Sequence, residues 1–216
     1  TQQEHADSLA RHGKTPIGLL ESLGVLELPV MAAHCVWVSD DDMDIMSKHG
    51  VSVLSCPGSN LKLGSGVPRV AEMLKRGVNV SCATDGAASN NNLSMMEEMT
   101  LTALLQKGVC QDPSLIPAKT AVRIATANGA KALGMSHMIG SLEAGKQADL
   151  VVIRTDGVRW CPRTNLLNHL VYSGNDSDVM LTMVGGDIIY QDGRITFGDV
   201  EEIKAKASQY AAKLFA

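Results

Sequence analysis

Val78-Asn79-Val80-Ser81-Cys82-Ala83-Thr84-Asp85-Gly86-Ala87-Ala88-Ser89-Asn90 reads as a strand that delivers a carboxylate into a loop. Residues 78–84 are small or apolar, with valine at 78 and 80, which suits a strand covered on both faces. From Gly86 the composition turns to Gly, Ala, Ser and Asn, the chemistry of a loop. Asp85 stands at the junction. The carboxyl end of a buried strand is where α/β folds carry catalytic and metal-binding groups. Working outward, Leu28–Ala33 reads as a similar strand ending at His34, and Val51–Leu54 as a third.

Helical segments separate these strands. Gln2–His12 stops at Gly13, and Pro16–Leu23 ends at Gly24. Ser39 is an N-cap for a helix whose first turn holds Asp40, Asp41 and Asp42, where the helix dipole favours negative charge. That helix ends at His49-Gly50. Ser55–Gly66 reads as a loop, and Pro68 opens a helix running to Arg76. Ser94–Lys107 is predicted to be a long helix with Met95, Met96 and Met99 filling the core. Ala118–Thr126 and Asn128–Leu133 are shorter helices. Strand–helix alternation with apolar strands implies parallel pairing and right-handed crossovers.

The texture changes after Gly140. Residues 140–149 are turn-rich, Ala148–Arg154 is a strand and Asn165–Tyr172 a helix. Val179–Val184, Asp187–Gln191 and Arg194–Phe197 read as antiparallel strands turned by Gly185-Gly186 and Asp192-Gly193. Asp199 caps a final amphipathic helix reaching Phe215. The fold class is α/β, in three units: 1–139, 140–198 and 199–216. Three parallel strands are too few for a closed (β/α)8 barrel, which needs eight strands and about 250 residues. We therefore expect the chain to be the C-terminal portion of a longer protein.

Composition narrows the function classes. The 216 residues are 45% hydrophobic and 19% charged, as in a globular protein. A net charge of −4 and 3% aromatic residues give no basis for nucleic-acid binding. No apolar run approaches the ~18 residues of a membrane span. Cys35, Cys56, Cys82, Cys110 and Cys161 are dispersed without a CxxC pair and read as free thiols of a reducing cytoplasm, the expected location.

His34 and Asp85 together suit part of a metal-hydrolase site. Each also suits a structural role, the histidine as a hydrogen-bonded strand-end residue and the aspartate as a turn or cap residue. Trp37 either lines a pocket or packs. His5 and His12 lie on one helix face and read as solvated. No GxGxxG or P-loop sequence follows a strand, and no Gly-x-Ser-x-Gly elbow is present.

Several segments, in order, resemble the amidohydrolase superfamily, and within it the 5-methylthioadenosine/S-adenosylhomocysteine deaminases and related chlorohydrolase-like proteins. They are residues 32–36, Ala-Ala-His-Cys-Val, residues 56–66, Cys-Pro-Gly-Ser-Asn-Leu-Lys-Leu-Gly-Ser-Gly, and residues 84–91, Thr-Asp-Gly-Ala-Ala-Ser-Asn-Asn. Residues 99–107, 140–152 and 168–172 continue the match. The resemblance implies the C-terminal part of a zinc-bearing (β/α)8 TIM-like barrel plus the C-terminal strands of a small β-sandwich. It implies that Asp85 is a Zn2+ ligand (another divalent metal being possible) and the proton acceptor for the attacking water. It also implies that His34 polarises that water, and that Ser89 contacts the purine ring, with Trp37 as a further substrate-side residue. The implied reaction is hydrolytic attack at C6 of an adenine nucleoside with loss of ammonia.

The chain departs from the family pattern in informative ways. No His-x-His pair is present. The family's His-x-x-Glu-Thr strand would end at Thr1, so its histidine and glutamate would precede residue 1. Ser55 stands where several relatives carry histidine. Two other readings stay open: a deaminase or chlorohydrolase of another heterocycle (triazine, guanine or cytosine-like), and a non-catalytic truncated fragment. The expected partners are a small purine nucleoside or related heterocycle and a second copy of the chain or a complementary N-terminal segment, with no membrane and no nucleic acid.

Overall fold

Three short strands, β1 (Met31–Ala33), β2 (Ser52–Ser55) and β3 (Asn79–Cys82), form a parallel sheet in the order β1-β2-β3, in a computed structural model that describes residues 1–215. Residue 216, the last of the expected 199–216 unit, lies outside the described residues. β2 is central, with Val53 fully buried, and Val80 of β3 is equally so. β1 is shorter than its apolar sequence predicts: residues 28–30 lead in ahead of it, with the Val30 carbonyl accepting from the Ser52 N–H of β2 at 3.0 Å.

Helices cover the sheet. Helix α1 (Gln2–His12) opens with a capping box between Thr1 and Glu4 and closes on left-handed Gly13. Helix α2 (Pro16–Ser22) is capped by Thr15, and helix α3 (Asp40–Lys48) by a box of Ser39 and Asp42, at the predicted position. Two helical boundaries differ from expectation. Pro57–Lys62, predicted as loop, is a helix, α4, with Pro57 in its first turn. The helix expected from Pro68 begins at Val70 instead, as α5 (Val70–Lys75). Its entry is held from outside: Gln106 accepts from the Ala71 N–H at 3.1 Å and donates to the Pro68 carbonyl at 2.9 Å.

Helix α6 (Met95–Cys110) is three residues longer than predicted at its C-terminal end, and of Met95, Met96 and Met99 it buries Met99 alone. Glu98, Met99, Thr102, Ala103 and Gln106 are buried; Met95 is exposed and Met96 half-buried. Three polar residues, Glu98, Thr102 and Gln106, thus sit in the stripe that faces the core. Helices α7 (Ala118–Ala125) and α8 (Ala127–Ala132) pack on β3. Asn128 donates to the Val80 carbonyl at 2.8 Å while Asn79 donates to the Asn128 carbonyl at 3.0 Å, a reciprocal clasp between helix and strand.

Strand β4 (Leu150–Ile153), β5 (Val179–Val184), β6 (Asp187–Gln191) and β7 (Arg194–Ile195) form a separate antiparallel sheet in sequence order. Gly185 and Gly186 have φ of 59° and 93°, and Asp192 and Gly193 have 45° and 85°. Positive φ at both central residues is what two-residue hairpins of this twist require. Helix α9 (Leu166–Tyr172) ties this region back: the Val171 carbonyl accepts from Thr100 of α6 at 2.6 Å, and the Val171 side chain is fully buried. The last helix, α10 (Val200–Leu214), has no buried residue. No helix among the described residues is long and apolar enough to cross a membrane.

Gly140, where the sequence texture changes, is pressed against α8. Its φ is 92°, and an added Cβ would lie 2.5 Å from the Ala130 Cβ and 3.2 Å from the Ala127 Cα. Gly134 has a similar φ of 70° with nothing within 4 Å. Gly134→Ala is therefore expected to cost only the backbone term, about 1 kcal/mol, and Gly140→Ala about 3 kcal/mol because overpacking adds to it. Urea unfolding midpoints of the two variants check the difference.

Candidate active site

The parallel strands end on one side of the sheet, and the chain leaves two of them through a left-handed residue that is not glycine. His34 follows β1 with φ 65°, Cys35 has φ 47°, and Asp85, three residues beyond β3, has φ 64°. Such backbone costs about 1–2 kcal/mol per residue for L-amino acids, and Asp and His tolerate it better than most. The sheet ladder holds both exits in place: the His34 N–H donates to the Leu54 carbonyl and the Ala83 N–H to the Ser55 carbonyl, each at 2.9 Å. Strain of this kind concentrates at functional sites.

The two side chains meet. His34 Nε2 lies 3.9 Å from Asp85 Oδ2. Each is oriented by a neighbour on α4. His34 Nδ1 lies 2.9 Å from Asn60 Oδ1; an amide oxygen only accepts, so this contact is made by the tautomer with the proton on Nδ1, whose Nε2 faces the carboxylate. Ser59 donates to Asp85 Oδ2 at 2.7 Å, and Ser89 donates to the same oxygen at 2.7 Å. No side-chain donor among the described residues reaches Oδ1. These two hydroxyls, then the Gly86 N–H, hold the Asp85 carboxyl down at about 2 against an ordinary 3.8. Sequence reasoning missed Ser59 and Asn60 because their segment read as loop; Pro57, well suited to a first helical turn, was the available signal.

A cavity of about 550 Å³ opens above this pair, lined by His34, Asp85, Ser59, Trp37, Asp42 and His5 among others. Trp37 is on the wall, its Nε1–H donating to the Ser65 carbonyl at 2.8 Å. His5 departs from expectation: it is half-buried on this wall, with Nδ1 buried and unpartnered, rather than solvated. His12 is exposed as predicted. Ser89 is not on the wall, and its hydroxyl is engaged with Asp85. Ser55 is buried.

Outside the cavity lining lies a buried carboxylate. Glu98 is 1% exposed. It accepts from the Gly58 N–H at 3.0 Å and from Asn90 Nδ2 at 2.7 Å. Desolvation raises its pKa, and the two hydrogen bonds oppose that rise.

Zinc needs several donors converging on one point. Among the described residues no group of three or more His, Cys, Asp or Glu side chains does so. The nearby thiols belong to no such converging group, and burial pushes Cys35 and Cys82 up to about 12 and Cys56 to about 11. The donors present therefore fall short of a zinc site by themselves.

Comparison with known proteins agrees with this architecture. The model of the amidohydrolase family matches residues 1–189. The 5-methylthioadenosine/S-adenosylhomocysteine deaminase of Acetivibrio thermocellus is 44% identical over 99% of this chain and 50% of its own length. A solved adenosine deaminase from Xanthomonas campestris with bound zinc superposes with a TM-score of 0.95 at 35% identity, over 99% of this chain and 48% of that one. The atrazine chlorohydrolase of Arthrobacter aurescens TC1 complexed with zinc superposes with a TM-score of 0.86 at 28% identity, over 95% of this chain and 46% of that one. The chain thus spans about half the length of the relatives it matches. By the family model, and by the order in which its strands, exits and loops follow one another, the chain belongs to the amidohydrolase family.

Proposed function

We propose that a longer protein containing this chain catalyses zinc-dependent hydrolytic deamination of an adenine nucleoside of the methylthioadenosine or S-adenosylhomocysteine type. The observation that carries the reading is the 3.9 Å approach of His34 to Asp85 at the strand exits of a fold matching a zinc-bound adenosine deaminase. In this reading residues 1–139 are part of a (β/α)8 barrel, 140–198 part of a small β-sandwich and 199–216 a terminal helix. The outer edges of the parallel sheet, unpaired among the described residues, suit further strands.

Each residue then has a task. Asp85 is ionised at neutral pH, with Oδ1 clear of side-chain donors; it is one metal ligand and takes a proton from water as the water oxygen bonds to C6. It passes that proton to the amino group, which leaves as ammonia when the C6–N bond breaks. His34 holds the water through Nε2, its ring fixed by Asn60. Trp37 forms part of the wall against the base, and Ser89 orients Asp85. Asp85, with further ligands from residues outside these 216, would hold the zinc, which would supply the acidity that lets water lose a proton near neutral pH. The donor of a proton to the ring also lies outside them. A second reading, hydrolysis of another heterocycle such as a triazine, draws on the likeness to the chlorohydrolase.

Three outcomes test this. The longer protein is expected to remove the adenine absorbance of methylthioadenosine or S-adenosylhomocysteine and to contain zinc, with Asp85→Asn lowering kcat about 10³-fold; release of chloride from a chlorotriazine without deamination would favour the second reading. The 216 residues alone are expected to take up no stoichiometric zinc by calorimetric titration and to turn over no substrate. Finally, Ser59→Ala combined with Ser89→Ala should raise the Asp85 carboxyl from about 2 toward its ordinary 3.8, read from its carbon chemical shift against pH. Because the folded-state pKa is depressed, the stability it contributes is present above 3.8 and lost as pH falls toward 2, so the double variant should lose that acid-side slope.

A further inference from the structure

We propose that Glu98 is the positioning residue that sets the placement of His34 and Asp85 relative to each other, acting through the first turns of α4. It rests on reading those two as the reacting pair. Glu98 touches neither. One of its oxygens accepts from the Gly58 N–H of α4 and the other from Asn90 in the loop after Asp85. Asn90 passes the tie on, since its Oδ1 accepts from the Leu93 N–H at 3.1 Å. The next two residues of α4 after Gly58 are Ser59, on Asp85, and Asn60, on His34.

The packing leaves α4 one seat. An added Cβ at Gly58 would collide with Glu98 Oε1 and lie 2.9 Å from Asn90 Nδ2, so a larger residue there would displace the side chains that hold the helix. Burying a carboxylate is unfavourable, and a glutamine of the same shape would set its NH2 against one of two N–H donors. A residue serving only to fill the core would be apolar at lower cost. Both donors belong to segments that carry site residues, which is what a positioning role requires.

The His34 ring reports the linkage whether or not deamination is the reaction, so failure here is distinguishable from failure of the proposed function. In the full chain, Glu98→Gln is expected to displace the His34 ring nitrogen resonances and to lower the fraction with the proton on Nδ1 at least twofold. Glu98→Gln with Asn90→Asp reverses the direction of one hydrogen bond and keeps the geometry; it should restore the native His34 signals. Gln106→Ala, which breaks the other buried polar contacts of α6, should lower Tm comparably and leave His34 unmoved. Should Glu98→Gln fail to fold, Asn90→Ala, which removes one of the two hydrogen bonds, is read in its place with the same expectation. Native His34 signals in Glu98→Gln or in its substitute, displaced signals in the folded double variant, or equal displacement by Gln106→Ala would each overturn the proposal.

Discussion

The candidate site depends on where one six-residue helix sits. α4 is too short to be stable by its own hydrogen bonds, and it supplies the orienting partners of both His34 and Asp85. Its seat comes from tertiary contacts: Pro57 starts it, Gly58 permits close approach, and the buried Glu98 receives its first turn. The imidazole and carboxylate arrive on separate strands with strained exits, and the same helix reads both. A displacement of α4 would therefore disturb them together.

α6 distributes this control. Glu98 and Gln106 are eight residues apart, about 12 Å along the helix, and both lie in the buried stripe. One holds the entry to α4 and the other the entry to α5. Each is satisfied by backbone N–H groups at helix starts, which would otherwise be left without partners in the interior. The helix organises the loops on one flank of the sheet by polar contacts, and the apolar residues between them supply adhesion.

Much of this was legible in the chain. The strand leading to Asp85, the Ser39 cap, the parallel pairing and both two-residue hairpins follow from local signals that tertiary packing did not override. The failures share a cause. α4 was hidden because Ser59, Asn60 and Gly58 are poor helix formers whose cost is met by contacts distant in sequence. The methionines of α6 read as core because hydrophobicity cannot reveal that Glu98 and Gln106 have partners waiting. His5 read as solvated because a helix pattern does not show what lies opposite its face. His34 and Asp85 could be placed at strand mouths but their separation could not, since it depends on α4.

The left-handed backbone at His34 and Asp85 has a consequence for which chemistries this scaffold can carry. A position with positive φ discourages β-branched and bulky residues and admits Gly, Asn, Asp and His. Among those four, the side chains that can bind a metal or carry a proton are the ones found here. The exits of β1 and β3 therefore act as filters on mutation: most random changes there are penalised by conformation before function is considered, and the few that fold well stay within a narrow range of donors and acceptors. Divergence of substrate preference is then steered away from these two positions and toward the cavity wall around them, where, Cys35 apart, the backbone imposes no such restriction.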